Sequence, residues 1–396
     1  MWSSAGRPRR SAAFQTNDSP WRAPYPRLIF DAQSSILPAK DLPDRMNSHH
    51  PLFGIILLAA VLAALGLRYA TRKKAPVPAW GLWGLAIILL AEALLFLRVP
   101  WVPIYFTPIV WTGYLLLADS LVYSLEGSSL ISVSLLGFLL LAFWSIPLWL
   151  IFEAYNLRLR NWTYVGLPAS RFLSGLGYVW SFATIWPAIF ETADLLSALG
   201  WRRRGVLPPF AKDGPGVVER QATTSLDRLG EGEKKLAYCH PEPIRCAQGE
   251  LREGSLHFCQ AKLLMPFFLG LACLTIPVLV PPRLGGYLFG LVWAGFVLLL
   301  DPINYSWGGR SFLRDLERGD TGRLYAFLSS GLFCGILWEF WNYWADAKWL
   351  YIFPIWQNWK VFEMPAPGFL GFPPFAVECA VMVEFLRLLY GKVRRV

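Results

Sequence analysis

Nine apolar runs punctuate this chain, near residues 52–68, 80–97, 102–123, 130–155, 175–199, 263–280, 284–305, 324–343 and 369–390. Each is continuous rather than alternating, and each approaches the roughly 20 residues a helix needs to cross a bilayer. Continuous runs speak against a membrane barrel, whose strands alternate apolar and polar positions. The pattern therefore predicts an all-α membrane protein of about nine transmembrane helices. Composition agrees: only 16% of the 396 residues are charged, against about 25% in soluble domains.

The polar stretches divide the chain. Residues 1–45 are rich in Ser, Pro and Arg and carry no apolar period, so they read as a disordered tail or as an over-extended start ahead of Met46. Residues 46–78 hold a simple anchor helix without buried charge. Residues 79–200 and 263–396 hold four runs each, and 201–262 is a long polar linker or insert. Lys and Arg are uneven about these runs, 22 on one side against 7 on the other when the first 45 residues are set aside. The basic side is expected to be cytoplasmic, which puts the N-terminus outside and the C-terminus inside the cell's inner (plasma) membrane. The net charge of +10 then matches a cytoplasmic face meeting anionic lipid, and no nucleic acid is needed to explain it.

An internal repeat orders the two four-run segments. Trp111-Thr-Gly113-Tyr-Leu-Leu-Leu-Ala-Asp119 aligns with Trp293-Ala-Gly295-Phe-Val-Leu-Leu-Leu-Asp301. Further on, Glu153 and Asn156 align with Glu339 and Asn342, Trp162 and Tyr164 with Trp349 and Tyr351, and Pro187 and Glu191 with Pro374 and Glu378. An even number of spans per copy gives both copies the same orientation, so the expectation is a parallel repeat about an axis along the membrane normal, with any shared site between the halves.

The stretch from Trp338 to Glu378 concentrates carboxylates, an amide and aromatics within apolar surroundings. Ionisable groups there are expensive, and function is the default hypothesis for them. The candidate catalytic residues are Glu339, Asn342, Glu378, Glu191, Glu153 and Asn156. Trp349, Tyr351, Trp162, Tyr164, Asp119 and Asp301 are candidates for substrate contact. Each Glu/Asn pair is spaced i, i+3, which places both side chains on one helical face, and Asn is expected to donate to the carboxylate across the cleft between the copies. The structural alternatives are an interfacial aromatic belt for the Trp and Tyr residues and helix-end carboxylates for the two Asp. Glu92, Asp194 and Glu384 lack an acidic counterpart in the other copy. Cys239, His240, Cys246, His257 and Cys259 lack the tight Cys pair of structural zinc sites, so no metal is expected. No dinucleotide or Walker-type phosphate loop is present, and no cofactor is expected.

The runs Trp338-Glu-Phe-Trp-Asn-Tyr-Trp344 and Phe362-Glu-Met-Pro365, with Gly371-Phe-Pro-Pro-Phe-Ala-Val-Glu378, resemble a group of uncharacterised bacterial multi-span proteins. More distantly, each half is similar to the lycopene cyclase domain of carotenoid synthesis. That resemblance implies a duplicated helical membrane unit in which the early Asp, the Trp-x-Tyr and the late acidic residue carry function. Here the late motif is Pro-x-x-x-Glu with a single acid. Three functions stay open: an enzyme modifying a long apolar lipid or isoprenoid with intramembrane carboxylates as proton donors, a proton-coupled transporter, and a structural or assembly protein without catalysis.

Overall fold

The computed structural model describes residues 49–201 and 253–393. The expected tail and most of the expected linker, with Cys239, His240 and Cys246, lie outside the described residues. The described helices run in chain order as α1 Pro51–Ala70, α2 Ala79–Phe96, α3 Val102–Glu126, α4 Leu130–Val133, α5 Leu135–Leu159 and α6 Arg171–Leu196, with strand β1 Trp162–Val165 between α5 and α6. After a π turn at Ser197–Trp201 come α7 Glu253–Leu279, α8 Pro282–Gly285, α9 Phe289–Ser306, α10 Phe312–Glu317 and α11 Gly322–Trp344. Strands β2 Lys348–Tyr351, β3 Lys360–Val361 and β4 Met364–Pro365, a 3-10 turn at Ala366–Gly371 and α12 Phe372–Val393 close the chain.

Among the described residues, eight helices are long and apolar enough to cross a membrane, and Leu263–Leu279 within α7 is a shorter apolar stretch. This is an all-α membrane protein, apart from two two-stranded pairs, β1–β2 and β3–β4. Helix α7 starts at Glu253, ten residues before the apolar run that marks it in the sequence. Hydropathy registers only the apolar part of a helix, and the Ser-Leu-His-Phe-Cys-Gln-Ala-Lys stretch ahead of Leu263 is compatible with helix without being apolar. The run near 130–155 is interrupted for a similar reason. Ser134 is extended (φ −159°) and caps α5 by accepting from Gly137 N, ending α4 after a single turn.

The helices pack in matching ways. α2 lies along α3 and α7 along α9; α6 packs on both α3 and α5, and α12 on both α9 and α11; α11 also packs along α6. Small residues permit the closest approaches, as is usual in membranes. A Cβ on Gly84 would lie 2.5 Å from Gly113 O, and one on Gly270 would lie 2.8 Å from Gly295 O.

Polar side chains satisfy the backbone where the helices are interrupted. Pro187 sits inside α6. One residue earlier, Trp186 N donates to Ser145 Oγ at 3.1 Å, and Ser145 Oγ in turn donates to Phe182 O. Ser145 thus inserts into the helical ladder, one of the recognised ways a proline-bearing membrane helix keeps its backbone paired. At the ends of α3 and α9, Asp119 and Asp301 hold the turns that follow. Asp119 accepts from Ser129 Oγ, Ile131 N and Trp80 Nε1, each at 2.9 Å. Asp301 accepts from Ser311 Oγ and Phe312 N at 2.9 Å and from Leu313 N at 2.8 Å. Ser129 and Ser311 are the N-cap residues of α4 and α10.

Loop contacts gather at two ends of the bundle. At one end β1 pairs with β2, Asn161 Nδ2 donates to Gly286 O, Arg158 donates to Val280 O, and His50 N donates to Lys360 O. At the other, Arg68 and Arg72 donate to Leu199 O, and Ala75 N to Ser124 O. Helix α1 reaches both ends, with Gly54 seated against the ring of Phe362.

Candidate functional site

Strands β1 and β2 pair antiparallel, with Trp162 opposite Tyr351, Thr163 opposite Leu350 and Tyr164 opposite Trp349. Strand side chains alternate between faces, so Trp162, Tyr164, Trp349 and Tyr351 share one face of this small sheet. All four line a cavity of about 400 Å³, within the range of small-molecule sites. Its other walls come from α3 (Thr107, Pro108, Trp111), α5 (Trp149), α6 (Gly177, Tyr178, Phe182), α9 (Phe289, Trp293), α11 (Trp338) and α12 (Phe375). Lys348 is the one charged residue among the lining residues, and its Nζ is paired with Glu363 Oε1 at 2.8 Å.

A buried carboxylate stands behind each tyrosine. Glu153 Oε1 accepts from Tyr164 OH at 2.6 Å, Trp149 Nε1 at 2.8 Å and Trp162 Nε1 at 3.3 Å. Glu339 Oε1 accepts from Tyr351 OH at 2.9 Å and Trp349 Nε1 at 3.4 Å, while the same indole N–H lies 2.9 Å from Tyr351 OH. Glu153 and Glu339 are 2% and 0% exposed, so neither forms the cavity surface; they orient the rings that do. Burial, reinforced by the facing carboxylate, holds the Tyr164 and Tyr351 phenols well above their ordinary range. Both rings therefore present neutral O–H groups.

Asn156 and Asn342 do not pair with those carboxylates. Asn156 donates through Nδ2 to Trp162 O at 2.9 Å and accepts from Asn161 N and Trp162 N at 2.8 and 3.1 Å. Asn342 donates to Trp349 O at 2.9 Å and accepts from Trp349 N at 3.0 Å. Each amide replaces a missing backbone partner where the chain turns from helix into strand. The reason is reach: the strand backbone returns beside the last turn of the same helix, closer than the opposite half.

The remaining candidates lie elsewhere. Asp119 and Asp301 are the helix caps at the opposite end and do not line the cavity. Glu191 and Glu378 are fully buried in α6 and α12. Neither oxygen of the Glu378 carboxyl has a formed hydrogen bond among the described residues, whereas the Glu191 carboxyl lies within hydrogen-bonding reach of the Asp119 carboxyl. Asp119 and Asp194 are acidic neighbours of Glu191.

Several site residues escaped the sequence reading. Trp149 stands four residues before Glu153, a spacing that already places it on the same face. Lys360 is 1% exposed and its Nζ is 3.5 Å from Tyr351 O. Glu363, partner of Lys348, also lies 3.9 Å from His49 Nδ1, which is 2.7 Å from Phe362 O. No local pattern connects His49 with a loop more than 300 residues away.

Helices of membrane-spanning length about an apolar, aromatic cavity define a multi-pass membrane protein with a built internal compartment. The chain matches no protein-family model, and no curated protein or solved structure is significantly similar to it.

Proposed function

We propose that the protein is a membrane enzyme that holds a long apolar lipid or isoprenoid in the cavity beneath β1 and β2. The observation that carries this reading is the lining itself: four strand aromatics, with each tyrosine donating to a buried carboxylate. Apolar walls bind a hydrocarbon chain by burial, and the phenol–carboxyl pairs are positioned proton-transfer groups at its surface. A chain rich in double bonds suits this lining, because its π-electrons meet the edges of the aromatic rings. The distant similarity to the lycopene cyclase domain points the same way.

In this reading the chain is a tandem duplication with a pseudo-twofold axis passing near Thr163 and Leu350. Support comes from the sequence alignment of the halves, from the reciprocal strand register, and from the like hydrogen bonding of Glu153 and Glu339, Asn156 and Asn342, and Asp119 and Asp301. The strand end faces the outside of the plasma membrane and the basic end the cytoplasm, on the strength of the Lys and Arg asymmetry.

A strain lacking the gene should show an altered carotenoid or lipid profile. Wild-type protein should restore it, and Glu339→Gln, which keeps the shape and removes the acidic group, should not. A normal lipid profile in the deletion strain contradicts the enzyme reading. A proton-coupled transporter is the second reading, favoured by the buried, unpartnered carboxyl of Glu378 and by the buried Glu191–Asp119 carboxyl pair, both away from the cavity. It requires an uptake defect with normal lipids, and loss of transport in Glu378→Gln.

A further inference from the structure

We propose that the segment 349–356 is an interfacial ribbon that roofs the cavity, and that the cavity opens sideways into the bilayer at the strand end. Its occupant is then a lipid drawn from that leaflet, not a solute entering from water. This rests on the cavity reading above and adds the route.

Alternation along the ribbon is the first observation. Trp349, Tyr351, Phe353 and Ile355 all line the cavity. Ile352, between Tyr351 and Phe353, and Trp356, just after Ile355, turn outward and are 41% and 61% exposed. Past Tyr351 the segment bends, with Ile355 N donating to Phe353 O at 3.0 Å, yet it stays apolar both towards the cavity and towards the outside, which is costly in water and suited to a position between a cavity and lipid. Trp356 has a positive φ of 49°, rare for a bulky residue, and the residues that follow, Gln357 and Asn358, are polar. Tryptophan is also the residue most at home at the membrane–water boundary.

The rim is the second observation. Leu167, Tyr287 and Leu370 line the cavity and are also exposed, Leu370 at 77%. A mouth opening to water would carry polar groups at such positions. On α6, moreover, Leu173 and Gly177 line the cavity, while Phe172 and Leu176, one position round the same helix, are exposed. The surface that meets lipid thus runs without interruption into the mouth. The first half has no comparable roof: β1 ends at Val165 and α6 begins at Arg171, whereas residues 352–371 separate β2 from α12. The device belongs to the second half alone, and the route is one-sided despite the likeness of the halves.

Spin labels test the route without reference to activity. The three cysteines at 239, 246 and 259 are replaced by serine, and the buried Cys273, Cys334 and Cys379 are kept. Ile352→Cys, Trp356→Cys and Leu370→Cys are then labelled singly in phosphatidylcholine nanodiscs. The expected result is collision with dissolved oxygen exceeding collision with a water-soluble nickel chelate at all three positions. Asp346→Cys, an exposed position paired with Arg98, should show the reverse. Should the cysteine at 356 prevent folding, positions 352 and 370 decide. Chelate collisions dominating there would overturn the ribbon and the lateral mouth, even if the cavity binds an apolar probe. Lipid-like depth with no binding of any apolar probe would instead overturn the cavity reading.

Discussion

At the residue scale, the two tyrosine–glutamate pairs concentrate the chemistry. Tyr351 OH donates a hydrogen bond to Glu339 and accepts one from the Trp349 indole N–H, so its hydroxyl is used on both sides. Burial first, and the carboxylate second, hold its phenol well above the ordinary range, as they do for Tyr164. In the unfolded chain these phenols titrate near pH 10. Above that pH the unfolded state has released protons that the folded state retains, so stability falls as pH rises. In alkaline titration of the folded protein in detergent, Tyr164→Phe and Tyr351→Phe should leave the tyrosinate absorbance unchanged. Loss of a tyrosine ionising near pH 10 in either variant contradicts the burial described here. Both variants should also unfold more readily, by roughly 1–3 kcal/mol, because a buried carboxylate loses a donor.

At the element scale, Asp119 and Asp301 show how a motif can be legible while its purpose is not. Their alignment in the two halves is plain in the sequence. Yet each Asp also precedes, by ten residues, the serine that caps the next short helix, and that spacing was the available signal for a structural role. Asp119→Ala and Asp301→Ala should each destabilise the protein by about 1–3 kcal/mol, since buried N–H and O–H donors lose their acceptor. Thermal unfolding in detergent measures this; unchanged stability in both would contradict the capping role. Apart from the start of α7, the apolar runs marked the long helices to within about five residues, because burial in lipid demands continuous apolar side chains. They did not mark α8, a separate turn at Pro282–Gly285 that overlaps the start of the run near 284–305, since hydropathy carries no information on backbone direction. The strand register was equally hidden. Trp-x-Tyr in both halves was visible, but nothing local says that one copy pairs with the other.

At the scale of the whole molecule, the candidate site is made by elements distant in the chain. Residues of α3, α6, α9, α11 and α12 wall one cavity, and β1 from one half joins β2 from the other to cover it. Helix α1, a simple anchor by composition, reaches from the basic end to the strand end and places His49 and His50 against the loop carrying Lys360. Aromatic residues that could have formed only an interfacial belt contribute to this interior. Six tryptophans, at 111, 149, 162, 293, 338 and 349, border the cavity. They make occupancy directly observable, because a conjugated polyene held there receives their excitation energy. The most direct measurement is therefore binding of parinaric acid, a tetraene fatty acid, to the purified protein in nanodiscs, read as energy transfer from tryptophan. Gly177 lines the cavity and has only the Tyr105 ring, at 3.4 Å, near an added Cβ, so Gly177→Phe can fill the space without a backbone clash. The result expected is saturable transfer in the wild type, reduced at least tenfold in affinity by Gly177→Phe; equal transfer in both proteins, beyond that of empty nanodiscs or not, would contradict a cavity that holds an apolar chain.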